Sequence, residues 1–163
     1  MQTLMTIEPF GLAKIESISH GTRILDARFN YSVQEAHLTL EKLGEPGRQA
    51  YVRLLIVDFI YIVAYTCFFL VLLSSIIRYF VPSLSWLRII INLPMICGAC
   101  DVLENSITLF QIHAFPGESF LAYKFSNLMT MIKFVAIIPT EAISVVGITA
   151  MAITYVFRKL RKS

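Results

Sequence analysis

Asp101, Glu104, Asn105 and Thr108 follow i, i+3, i+4, i+7 spacing, which places all four side chains on one face of a helix. Asp58, Tyr61 and Tyr65 share a face in another segment. Both groups sit in sequence that is otherwise apolar: between Leu54 and Ile77 the one charged residue is Asp58. Ionisable groups in such runs are costly unless they turn inward and find partners. Lys124 and Lys133, in the last apolar stretch, are the cations available to them. Three acids against one or two lysines is more than fastening helices requires. A carboxylate left over is expected to be neutral or to hold a cation, because burial disfavours its charge.

Other chemistries find less support. Cys97-Gly98-Ala99-Cys100 is a CxxC with its thiols at i and i+3, but no second pair exists to relay electrons, and small residues, cysteine included, serve close helix packing. His20, His37 and His113 have no partner at zinc-site spacing, and no HExxH is present. A GxSxG elbow is absent as well. No cofactor is called for. The short basic run Arg158, Lys159, Arg161, Lys162 is not interleaved with aromatic platforms, so nucleic acid is not an expected partner; next to an apolar run it reads as a cytoplasmic anchor.

The elements that must position these residues follow from composition. Of 163 residues 56% are hydrophobic and 15% charged, against about 25% charged in a soluble domain, and mean hydropathy is +0.69. The expected fold class is an all-α membrane protein: a bundle of three transmembrane helices, or four, with a short amphipathic N-terminal helix. Residues 1–50 form an interfacial or soluble segment, in which scattered apolar residues from Leu4 to Ile18 suggest a surface-lying helix. Within it a helix is expected over 32–44, opened by a Ser32/Glu35 capping box and stopped by Gly44, with Glu45-Pro46-Gly47 as a turn. Residues 51–157 form the membrane domain, with crossings over 51–80, 86–112 and 118–157; about 20 apolar residues suffice for each. Pro94 is expected to kink the second. The third is read as one long helix, the alternative being two short crossings that turn at Pro139-Thr140-Glu141. Residues 158–163 are the basic tail. The first twenty residues lack a continuous apolar signal core, so the first crossing is expected to direct insertion.

Depth along the helices adds a constraint. At about 1.5 Å per residue, Asp58 lies roughly 8 Å past Arg53, while Glu104 and Asp101 lie roughly 13 and 18 Å before His113. In an antiparallel hairpin all three acids fall in one half of the bilayer, at a depth that either Lys124 or Lys133 reaches. Arg48 and Arg53 are placed to guard the mouth of such a site, and Tyr61 to line it.

The chain also resembles a group of small, uncharacterised, mainly bacterial membrane proteins. The matching pieces are Leu25-Asp26 with Phe29-Asn30-Tyr31-Ser32, then Leu43-Gly44-x-x-Gly47-Arg48-x-x-Tyr51, Asp58, Leu93-Pro94, Asp101-x-x-Glu104-Asn105 and Lys133. The resemblance implies no activity. It does tie Asp26, Arg48 and Tyr51 to the same pattern as the membrane acids, and the cysteine pair departs from it.

The leading expectation is an integral membrane protein with an intramembrane acidic polar cluster that binds or passes a small solute, ion or lipid headgroup. Asp58, Asp101, Glu104 and Asn105 would line the site, and Lys124 or Lys133 would balance it. The alternatives are a non-catalytic scaffold whose polar residues only hold helices together, and an intramembrane enzyme using Asp101 and Glu104 as acid and base. The lipid bilayer is the expected partner. A homodimer is plausible because three crossings make a thin wall. The expected location is the plasma membrane with the C-terminus cytoplasmic.

Overall fold

The computed structural model describes residues 24–80, 85–117 and 119–161. The surface helix expected before Ile18, the turn at Pro82 and the tail residue Lys162 lie outside this range. All regular structure among the described residues is helical. A short 3-10 turn (Leu25–Ala27) precedes α1 (Val33–Phe80); a 3-10 helix (Ser85–Asn92) leads into α2 (Leu93–Ala114); α3 (Phe120–Leu160) follows. The three α-helices pack pairwise against one another.

The capping box forms at the start of α1. The Ser32 amide donates to Glu35 Oε2 at 2.7 Å and the Glu35 amide to Ser32 Oγ at 3.1 Å. Gly44 breaks the helix with φ 58° and ψ −176°, a conformation essentially restricted to glycine that costs a residue with a side chain about 1–3 kcal/mol. The break is local. Glu45, Pro46 and Gly47 are helical rather than a turn, because a proline in the first turn of the resumed helix has no amide to lose. Arg48 Nη1 donates to the Leu40 carbonyl at 3.0 Å across the kink.

Pro94 likewise falls in the first turn of α2, not in its interior, so it starts the helix instead of kinking it; the residues from Ser85 to Asn92 are wound as 3-10 helix. The last apolar stretch is one continuous helix, with Pro139 and Glu141 inside it. At about 1.5 Å per residue α3 is about 60 Å long, twice the roughly 30 Å thickness of a hydrocarbon core. Arg158 and Lys159, the start of the expected tail, form its last turn.

Among the described residues three helices are long and apolar enough to cross a membrane: α1, α2 taken from Ile89, and α3. Their outward faces are apolar, with Ile60 73%, Val71 69% and Val146 68% exposed. The interior holds buried polar side chains between two apolar clusters. One apolar cluster, including Leu25, Leu40, Tyr51 and Tyr123, fills the end near the N-terminal segment. A second, around Ile62, Phe69 and Ala136, fills the middle. Asp58, Asp101, Glu104 and Asn105 are buried with them.

Close approach depends on small residues. A Cβ added at Gly147 would lie 2.5 Å from Ile76 Cδ1 and 2.7 Å from its Cγ2. Gly147→Leu is therefore expected to destabilise the bundle by about 1–3 kcal/mol, the usual cost of overpacking. Adding Ile76→Ala should restore part of the loss. Thermal unfolding in detergent checks both.

Candidate functional site

The α2 spacing buries what it was expected to bury: Asp101, Glu104, Asn105 and Thr108 all face the interior, and Gln111 continues the row. α3 supplies the opposite wall through Ser126, Thr130 and Lys133. The Lys133 Nζ lies 3.0 Å from Asp101 Oδ1 and 2.6 Å from Glu104 Oε2. Thr130, one turn earlier, donates to Glu104 Oε1 at 2.7 Å. α1 closes the third side: the Tyr65 hydroxyl donates to Asp101 Oδ2 at 2.9 Å, and Asn105 Nδ2 donates to Asp58 Oδ2 at 2.8 Å. Every one of these bonds joins two different helices.

Lys124 does not join the acids. It precedes Lys133 by nine residues, and at about 100° per residue that is a half-turn of net rotation. Its side chain is exposed, with its ammonium 4.4 Å from the Phe120 ring centroid. Arg53 is also turned out and exposed, being five residues from Asp58. Arg48 is engaged in the fold: besides Leu40 it covers the Phe115 ring, 4.4 Å from its centroid. Tyr61 is half-buried, its ring packed against Tyr65 with centroids 5.4 Å apart. Asp101 and Glu104 share one lysine.

Cys97 and Cys100 are buried free thiols, and the Cys97 Sγ lies 3.5 Å from the Tyr65 hydroxyl. His37 packs against Phe115, and His113 Nδ1 lies 2.8 Å from the Leu109 carbonyl. Among the described residues no group of three or more His, Cys, Asp or Glu is placed to hold a metal ion.

The spacing arguments missed the N-terminal contribution. Residues 24–31 fold onto the bundle: Ile24 and Leu25 are buried, the Tyr31 amide donates to Asn127 Oδ1 at 3.1 Å, and Asn127 Nδ2 donates to Asn30 Oδ1 at 2.7 Å. The Tyr31 hydroxyl donates to Ser126 Oγ at 3.1 Å, and burial pushes that phenol up to about 12. Asp26 accepts a hydrogen bond from the fully buried Tyr51. Burial raises the Asp26 carboxyl above its ordinary value, while the Lys133 ammonium and the Tyr51 hydroxyl pull it down; burial prevails. Asp26 thus stands within electrostatic reach of the α2–α3 ion pairs. No periodicity marks it, since it precedes every long helix; its one trace in the sequence was the shared pattern with Tyr51 and the membrane acids.

The chain matches no family model, no curated protein and no solved structure with significance.

The raised carboxyl of Asp26 has a signed consequence. An acid whose pKa is higher in the folded state stabilises the fold while protonated, and that contribution is lost as pH rises from the unfolded value through the folded one. Docking of residues 24–31 should weaken as pH climbs above 3.8. The protection factor of the Tyr31 amide, measured by hydrogen exchange, should fall over that range, and Asp26→Asn should flatten the dependence.

Proposed function

We propose that this chain is an integral membrane protein that holds a small cation at a buried acidic site, reached from the end of the bundle where Asp26 lies. The observation that carries the reading is charge. Asp26, Asp58, Asp101 and Glu104 come from three separate segments, and the cation bonded within the cluster is Lys133. With all five ionised the cluster carries a net charge of −3, from four carboxylates and one ammonium. A low-dielectric interior does not sustain such an excess. A proton is the occupant that suits packed side chains, since it needs no cavity. Asn105 supports the reading: it is fully buried, and its Oδ1 has no hydrogen-bond partner beside Asp58.

Binding is favoured over passage because the polar run stops. Beyond the ion pairs the α3 hydroxyls of Thr140 and Ser144 donate to carbonyls of their own helix, and no ionisable side chain of α3 is buried between Lys133 and its last turn. Of the residues that carry the resemblance, Asp26, Tyr51, Asp58, Asp101, Glu104, Asn105 and Lys133 come together in the interior, while Arg48 lies at the Gly44 kink.

The orientation follows from charge as well. Arg158 at the end of α3 lies 5.6 Å from the Tyr79 ring at the end of α1, so Arg78, Arg158, Lys159 and Arg161 share one end. Cationic ends tend to stay cytoplasmic, which supports a reading with that end inside a plasma membrane and Asp26 toward its outer face, although Arg28, Lys42, Arg48, Arg53 and Lys124 lie at the other end. Accessibility tags at the two termini should label from opposite sides; labelling from one side overturns three crossings.

Reversible protonation is tested by infrared difference spectroscopy across a pH titration in detergent. A carboxyl band that titrates in the unaltered chain and is missing from Glu104→Gln is the expected result. Titration spectra identical in the two proteins would remove the site.

A second reading is supported by one fact: both ionic bonds of the cluster cross between helices, so the cluster also ties the bundle. Lys133→Met strands two buried carboxylates, and losing one partner of a buried pair costs about 3–5 kcal/mol. Glu104→Gln leaves Asp101 on the lysine and should cost less. Melting temperatures of the two variants give the order; equal losses would mean that Asp101 does not share the lysine.

A further inference from the structure

Tyr31 borders a cleft of about 340 Å³ between the beginning of α1 and the first turns of α3. Ser32, Gln34 and Lys124 line the same cleft and are exposed, so water reaches it. Inward, the Tyr31 hydroxyl donates to Ser126 Oγ, which lies 3.4 Å from Thr108 Oγ1. The phenol is also within interaction range of the Thr130 hydroxyl and the Glu104 carboxyl, and Thr130 itself donates to Glu104. The tyrosine is 5% exposed. A single side chain thus spans from the cleft wall to the hydroxyls that meet Glu104.

Next to these hydroxyls lie polar atoms that the packed bundle leaves unpaired. Asn105 Oδ1 and both amide atoms of Gln111 are buried without a hydrogen-bond partner among the described residues, and Gln111 is 2% exposed. Thr108 falls midway between them on α2 and is buried with them. An enclosed amide without partners is unfavourable, so an arrangement that admits water to this row recovers bonds that the packed one forgoes. The bonds that hold the Tyr31 backbone lie near the surface: its amide donates to Asn127, which is half-buried, and Asn127 donates to the exposed Asn30. Water competes well for such bonds. We propose that Tyr31 is the gate of the acid site: when it leaves Ser126, water from the cleft enters the row Gln111, Thr108, Asn105 and carries protons to and from Glu104. On binding, a hydronium ion gives its proton to the carboxylate and is left as water; release is the reverse. The proposal rests on the reading of the cluster as a proton-holding site and adds its route of access.

Gated access is read from the rate at which the protonated carboxyl exchanges with deuterium. The full chain in detergent is mixed into heavy-water buffer on the acid side of its titration, and the carboxyl infrared band that Glu104→Gln removes is followed as it shifts on deuteration. Asn127→Ala releases Tyr31 without touching the interior and should speed the shift severalfold. Tyr31→Phe, without its bond to Ser126, should also speed it, and Tyr31→Ala should speed it most. Ile76→Ala, which loosens the packing on Gly147 toward the opposite end of the bundle, should leave the rate unchanged. Equal rates in all variants, or exchange of the unaltered chain within the mixing time, overturn the gate and leave the acid site standing. So does an equal acceleration by Ile76→Ala, which would make the opening global. Slower exchange in Tyr31→Phe overturns it as well, because the hydroxyl would then carry the proton instead of blocking it. A chain with no titrating carboxyl band overturns the acid site and the gate together.

Discussion

The ammonium of Lys133, held between Asp101 and Glu104, is the interaction on which the rest of the interior depends. Three charged groups removed from water each lose several kcal/mol of hydration. That loss is offset only at short range and only when the remaining lone pairs are satisfied. The requirement sets the geometry. α2 and α3 must run side by side with these faces opposed, Thr130 must sit one turn before the lysine to reach Glu104, and α1 must bring Tyr65 to the second oxygen of Asp101. Gly98, Cys97 and Ala136, all buried, keep the helices close enough for bonds of this length. With the polar faces turned in, many large apolar side chains, Ile60, Val71 and Val146 among them, are left outside, which is the arrangement a hydrocarbon surround favours.

The N-terminal end of the bundle answers to the same site. Gly44 lets α1 change direction without a loop, and Arg48 recovers a carbonyl at the break while covering Phe115 from the α2–α3 connection. The kink leaves Tyr51 pointing into the core, where it meets Asp26. Residues 24–31 are held from the far side by Asn127. A segment that carries no spanning helix therefore contributes a carboxyl to the buried cluster.

Much of this was legible in the chain because helices translate spacing into direction. Asp101, Glu104, Asn105 and Thr108 share a face by arithmetic, and burial of that face follows from the cost of turning carboxylates outward in an apolar run. The capping box was legible for the same local reason, since its two residues are three apart; the stop expected at Gly44 is instead a kink within α1. The lengths of the three apolar runs identified helices able to cross a membrane before any contact was known.

Which lysine meets the acids was decided by tertiary structure. Depth along the chain admitted Lys124 and Lys133 alike; rotation about α3 separates them by a half-turn, and only the packing of α3 on α2 says which face turns inward. The reach of Asp26 was decided there too, because a short segment outside the helices has no period from which its direction can be read. The two prolines taught the same lesson on a smaller scale: Pro46 and Pro94 were read as a turn and a kink, yet both occupy first turns, where a missing amide is no loss. Spacing constrains the direction of a side chain relative to its own helix, whereas a partner on another helix depends on how the two helices are rotated and set against each other, and that is a property of the packed bundle.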